Sequence, residues 1–319
     1  MITAFEYSDR KYTEISIQSN SLSVAERKMA EEFVKANAYV HEGEVDCPIC
    51  EKNAKQLFFL KWGVPYYRCA ACGTIFTLCS QSLLEKYRNN REMTEFRKSP
   101  VYQADAAKLR GSIWTEFAEW LMFRAFRYLR LSKGAAIIDI GSRYEGFTDI
   151  ITELELCGAY ERRGSILPHK GDPVEQADIL LYINQLQQEQ CPAETLRALS
   201  PSIRKNGLLV IQTRAGSGFD ILTLKGENRR IYPYEHVVLP SARALAALVG
   251  RCGYKVLEMT TPGVMDVNYV LSCKDMLDAS ELFVHSLVNN ADESVLQEFQ
   301  RFLQKSCLSS FVQIVAQKI

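Results

Sequence analysis

Two Cys-x-x-Cys pairs, Cys47-Pro-Ile-Cys50 and Cys69-Ala-Ala-Cys72, constrain this chain more than any other feature. Eighteen residues separate them, a spacing at which two thiolate knuckles can close one tetrahedral metal site. Gly73 follows the second pair and relieves the backbone where the chain turns back. Between the pairs, Gln56 to Lys61 and Tyr66 to Arg68 suit the short strands of a zinc ribbon. Four thiolates leave no open position for water or substrate, so the expected Zn2+ is structural. Ten cysteines in 319 residues are no secreted disulfide scaffold, and paired thiols point to a reducing, cytoplasmic setting.

A ribbon by itself often means nucleic-acid binding, and the charge pattern argues against that here. Lys+Arg and Asp+Glu balance at 38 each, so no global field draws the chain to phosphate or to an anionic membrane. Lys86, Arg88, Arg91, Arg97 and Lys98 follow the ribbon, with Glu85, Glu92 and Glu95 interleaved. That reads as a solvated helix face. No apolar run approaches the roughly 20 residues that span a bilayer, and the amino terminus lacks a signal-peptide core. No nucleic acid and no membrane are therefore expected as partners, whereas a protein partner stays open.

Ser23 with Glu26 reads as a capping box for a helix from Val24 to Asn37. Residues 107–131 read as a long amphipathic helix, with Trp114, Phe117, Leu121, Ala125 and Tyr128 inward and Arg124, Arg127 and Arg130 in solvent. Beyond it, Ala136-Ile-Ile-Asp-Ile140 reads as a buried strand, then a turn bearing Gly141 and Gly146, then a helix from Phe147 to Leu156. A strand, a glycine turn and a helix start can bring backbone N–H groups to a nucleotide-like ligand. Further strands are expected near Gly164–Ile166, at Asp178–Ile183, Gly207–Thr213 and Tyr254–Thr260, and at Phe311–Ala316. Helices are expected at Pro192–Ile203 and Ser241–Cys252. The alternation argues for an α/β fold with a doubly wound, mostly parallel sheet.

Several fragments then occur in order. They are Asp139-Ile-Gly141, Gly218-Phe-Asp-Ile221, Pro233-Tyr-Glu-His236, Ser241 to Gly253, Thr261 to Asp266, and Phe299 to Val315. With the ribbon, they resemble bacterial zinc-ribbon class I S-adenosylmethionine (SAM) dependent methyltransferases of the surface-polysaccharide and sugar-biosynthesis type. The resemblance runs from about Val45 to the end. It implies a Rossmann-like methyltransferase sheet with a reversed final hairpin, SAM at the carboxyl ends of the first strands, and a sugar-related small-molecule substrate. It divides the chain into a helical extension (1–44), the ribbon (45–82), a helical linker (83–132) and the methyltransferase-like domain (133–319). Asp139 would brace the cofactor turn, and Gly141, Ser142 and Gly146 would line it. Tyr234-Glu235-His236 resembles the family's catalytic Tyr-x-Glu-His, with His236 as base and Glu235 orienting it. His41, His169 and His285 have no such pattern.

The departures are specific. Arg143 and Glu145 stand at motif glycines, and Leu167 stands nearest the expected ribose-binding acid. The segment from Leu167 to Ala177 is too short for the usual second helix and third strand. Gln187-Gln188 and Phe311 replace the family's Glu-His and a further His. Asp172, Glu175 and Asp178 are the nearby acids that could substitute. The alternative function is a catalytically inactive methyltransferase-fold protein acting as a binding or partner subunit.

Overall fold

Helix α1 (Ser21–Ala36) precedes an antiparallel ribbon of β1 (Lys55–Lys61), β2 (Val64–Cys69) and β3 (Ile75–Thr77). Helices α2 (Gln81–Arg88), α3 (Arg91–Lys98) and α4 (Pro100–Leu129) follow. Each of the three starts on a side-chain cap, with Ser80, Asn90 and Ser99 accepting N–H groups from Leu83, Met93 and Tyr102. Pro100 takes the first position of α4, where no donor is needed. The chain then alternates through β4 (Ala135–Ile140), α5 (Phe147–Glu153), β5 (Cys157–Arg163), β6 (Ala177–Ile183), α6 (Pro192–Leu199) and β7 (Ile203–Arg214). It ends with α7 (Phe219–Leu224), β8 (Val238–Leu239), α8 (Ala242–Arg251), β9 (Tyr254–Thr260), α9 (Asp266–Ser272), α10 (Leu282–Asn290), α11 (Glu293–Lys305) and β10 (Phe311–Lys318). This computed structural model describes residues 21–37, 46–131, 133–141, 147–155, 157–163, 176–263 and 266–319.

The larger sheet runs β5-β4-β6-β7-β10-β9. Pairing is parallel from β5 through β7, and β10 runs antiparallel to both of its neighbours. This is a Rossmann-like, mostly parallel sheet whose final strand in the chain runs backwards. Strand alternation splits the core in two. Ile137, Ile179, Leu181 and Val210 face α4 and α5, while Ile138, Leu180, Leu209 and Ile211 face α6, α8 and the ribbon. The ribbon also recruits a strand from beyond the sheet's centre, because β8 pairs with β3.

Four expectations are corrected. Helix α1 begins at Ser21, so Ser23 is not its cap, and Glu26 instead accepts from Arg97 Nε at 2.6 Å. Helix α4 begins seven residues before residue 107. The strand after α5 is β5, which pairs with β4 and ends at Arg163; the stretch 164–166, where it was expected, lies outside the described residues. As an edge strand β5 carries Glu161 and Arg162 and so reads like a loop. Arg124 is not in solvent: its Nε lies 3.0 Å from the buried Glu258 carboxylate, which also takes Arg127 at 3.2 Å and the Tyr128 hydroxyl. A carboxylate inside β9 needs those partners, and they fix α4 across the sheet. Among the described residues no helix is long and apolar enough to cross a membrane.

Candidate functional site

The four ribbon sulfurs all lie within 4.8 Å of one another. Cys47 and Cys72 are 3.6 Å apart, as are Cys50 and Cys69. Tetrahedral zinc with bonds of about 2.3 Å requires roughly 3.8 Å between sulfurs, so the cluster fits that ion. The two knuckles repeat the same backbone. Glu51 N–H bonds Cys47 C=O at 2.8 Å, and Gly73 N–H bonds Cys69 C=O at 2.8 Å. The residue after each pair is left-handed, Glu51 at φ 61° and Gly73 at φ 75°. The Cys47–Cys72 contact lowers the Cys72 thiol and raises that of Cys47.

The strand order reverses between β4 and β6, where the carboxyl ends of an open α/β sheet form a crevice. Gly141 ends β4 at φ 100°. A Cβ there would lie 2.2 Å from Gln185 Cγ and 2.5 Å from its Nε2, so the Gln185 side chain covers this glycine. Gln185 is held by a 3.5 Å bond from Nε2 to Ile183 C=O, at the weak limit of hydrogen bonding. Asp139 is wholly buried and accepts from Tyr160 Oη at 2.5 Å, which fits a brace beneath the turn. Ser142 and Gly146 lie outside the described residues, as do Arg143, Glu145, Leu167, Asp172, Glu175, His41 and His169. Asp178 is no substitute acid: it sits at the amino end of β6, the opposite end of the sheet from Gly141, accepting from Ala136 N–H at 2.8 Å and Arg204 at 2.7 Å.

The segment carrying Tyr234, Glu235 and His236 lies across the carboxyl ends of β6 and β7. Val237 N–H bonds Gln187 C=O at 2.7 Å, and Gln187 Oε1 in turn accepts from Arg214 N–H at 3.2 Å. Gln187 thus pins this segment to the sheet. The ribbon pins it from the other side through Tyr66 Oη to His236 C=O at 2.8 Å and Thr77 N–H to Val237 C=O at 2.9 Å. The Glu235 carboxylate accepts from Arg97 at 2.7 Å and Tyr87 Oη at 3.2 Å. Arg97, expected in solvent, therefore serves the site. His236 Nδ1 accepts from Tyr232 N–H at 3.1 Å and faces Tyr232 C=O at 3.3 Å. The first contact suits the tautomer protonated at Nε2. The second suits the one protonated at Nδ1, in which Nε2 is the basic nitrogen.

Tyr234 is fully buried among Phe33 and Tyr87, at φ 67°. Burial pushes its phenol up to about 12. Among the described residues its hydroxyl has no hydrogen-bond partner, and a buried, unpaired hydroxyl costs about 1–3 kcal/mol. Tyr234→Phe is therefore expected to raise unfolding free energy by about 1 kcal/mol in urea titrations of the zinc-loaded protein. A clear loss of stability would show that the hydroxyl is bonded. His285 lies apart, on α10, with Nε2 3.1 Å from Asp278 C=O. Phe311 lies under the Arg214 guanidinium at 5.2 Å.

No protein-family model and no curated protein matches the chain. Solved structures similar to it include the plantazolicin methyltransferase BpumL in complex with S-adenosylhomocysteine (SAH) and a triazolic desmethyl-plantazolicin analogue. The two are 15% identical over 74% of this chain and 94% of that one, with a TM-score of 0.41. Coclaurine N-methyltransferase, bound to N-methylheliamine and SAH, is 14% identical over 63% and 72%, with a TM-score of 0.38. An S-adenosylmethionine dependent methyltransferase from Mesorhizobium loti is 13% identical over 63% and 98%, with a TM-score of 0.35. Likeness at this level says nothing of this chain's substrate.

Proposed function

We propose that this chain is a SAM-dependent methyltransferase acting on a small molecule, a sugar or sugar nucleotide, and that its ribbon holds one structural Zn2+. The observation that carries the reading is Gly141, left-handed at the end of β4 where the strand order reverses, in a sheet whose last strand runs backwards. Bound SAM would supply an electrophilic methyl group. Asp139 keeps the turn in shape from below, and Gly141, with Ser142 and Gly146, lines it. Gln185 has to swing off Gly141 for a ligand to reach the backbone, and its long bond to Ile183 makes that inexpensive. His236 takes a proton at Nε2 from the acceptor, in the tautomer whose Nδ1–H points at Tyr232 C=O. Glu235 positions the segment through Arg97 and Tyr87, and Tyr234 packs beneath it. Charge balance and the closed four-cysteine cluster favour neither nucleic acid nor membrane as partner, and the thiols favour a cytoplasmic setting.

A second reading, a catalytically inactive binding or partner subunit, is favoured by two observations. Gln185 covers Gly141, and β5 ends on Arg163 rather than on an acid that could hold the ribose hydroxyls. Each missing hydrogen bond of that kind costs roughly 1.5–3 kcal/mol, or one to two decades of affinity. Calorimetric titration with SAM and SAH separates the readings. Weak binding, near the millimolar range, is expected of the zinc-loaded protein. Gln185→Ala should tighten it by roughly three- to tenfold, as the cover is removed. No binding at millimolar SAM in either protein would leave only the partner subunit, while micromolar binding would remove it.

A further inference from the structure

Two arginines at the carboxyl end of β7 hold N–H donors that nothing in the described fold uses. Arg230 lies over Tyr269, 3.8 Å from guanidinium carbon to ring centroid. Among the described residues its guanidinium has no hydrogen-bond or ion-pair partner. Burial, and then the neighbouring Arg214 charge, hold its pKa below the usual value. Arg214 ends β7, is 7% exposed, and gives a single N–H, at 3.4 Å, to Asp220. The acids beside them are already satisfied. Asp220 takes Ser310 Oγ at 2.7 Å and Asn228 Nδ2 at 3.1 Å. Asp266 takes Ser309 Oγ at 2.6 Å, Gln300 Nε2 at 2.7 Å and Ser310 N–H at 2.8 Å.

A guanidinium presents five donors in a planar fork, and desolvating it without acceptors is costly. Arg230 is half-buried and so reachable by a ligand, whereas the Tyr234 hydroxyl is sealed. The loop that carries Arg230 is also pinned, through its main chain. Arg230 N–H bonds Asn228 Oδ1 at 2.9 Å, Arg229 N–H bonds Tyr269 Oη at 2.8 Å, and Tyr269 Oη bonds Asn228 Oδ1 at 3.3 Å. The same loop continues through Tyr232 to His236. We propose that Arg230, with Arg214 beside it, is an oxyanion-recognition site that holds a phosphate or carboxylate group of the acceptor in bidentate fashion. The word acceptor rests on the methyltransferase reading; the anion site itself does not.

Calorimetry on the full zinc-loaded chain at low ionic strength tests it, with inorganic phosphate, pyrophosphate and malonate as probes. Saturable binding of at least one, with Kd at or below about 10 mM, is expected. Arg230→Gln should weaken it at least about tenfold, and Arg230→Lys nearly as much, since an ammonium keeps the charge but not the fork. Arg204→Gln, at the opposite, amino end of β7 and paired with Asp178, should change nothing. Should Arg230→Gln fail to fold, as judged by near-ultraviolet circular dichroism, Arg230→Lys decides. Preference for pyrophosphate over malonate would identify a phosphorylated acceptor, and the reverse an acidic one. No saturation with any probe, or equal affinity in the folded Arg230 variants, overturns the site. Anion binding without SAM binding would keep the site and discard the methyltransferase reading; SAM binding without anion binding would do the opposite.

Discussion

Replacing Cys50 with Ser should remove the zinc and unfold the ribbon. The two knuckles have matching backbone bonds and left-handed corners, and their four sulfurs already stand at distances suited to one ion. The ribbon strands pack into the main core, but the two knuckle turns are held to each other through their sulfurs. Metal binding there is itself folding free energy, on the order of 10 kcal/mol. Elemental analysis should give about one zinc per chain for the wild type and little or none for Cys50→Ser. The consequence should travel further than the ribbon, because β8, the His236 carbonyl, the Val237 carbonyl and Ser241 are all tied to it. Hydrogen exchange across residues 232–241 should rise in the variant and in chelator-treated wild type. A fully metallated Cys50→Ser protein would sink the assignment.

The parts of this molecule that can be read from its sequence are those whose chemistry is local. Paired cysteines declare a metal by their spacing alone. Strands β4, β6, β7 and β9 are covered on both faces, so they read as short apolar runs bounded by turns. Edge strand β5 does not, and its true span lies nearer the amino terminus than its residues suggest. Side-chain pairing over long separations leaves no local trace. Arg124 keeps a solvent-like spacing along α4, yet its carboxylate partner Glu258 is 134 residues away. Arg97 looks like one more charge in a mixed run, yet it bonds Glu235, 138 residues on. The Tyr234-Glu235-His236 trio is visible in the sequence as three residues, but not which way each points. Arg230 carries no signal at all, since a stacked arginine has the same periodicity as an exposed one.

Exchanging His236 for Asn should lower methyl transfer by roughly 10²–10⁴-fold while leaving SAM affinity nearly unchanged. The residue is almost wholly buried, on a segment fastened from both sides by Gln187 and the ribbon. Its Nδ1 lies against the Tyr232 backbone, 3.1 Å from the nitrogen and 3.3 Å from the carbonyl oxygen, and an Asn side-chain amide, which both donates and accepts, can replace the bond that the ring makes there. The Asn variant should therefore keep the loop in place and lose only the group that moves a proton at Nε2. His236→Ala removes that contact as well and leaves a cavity in a buried segment, a further cost of roughly 2–4 kcal/mol in stability. Comparing the two separates proton transfer from loop holding. Equal losses of turnover, with stability lost only in the Ala variant, are what a base predicts. Full turnover in the Asn variant, with the Ala variant impaired and destabilised, would mean that His236 acts as a clamp on Tyr232 and that the proton goes elsewhere.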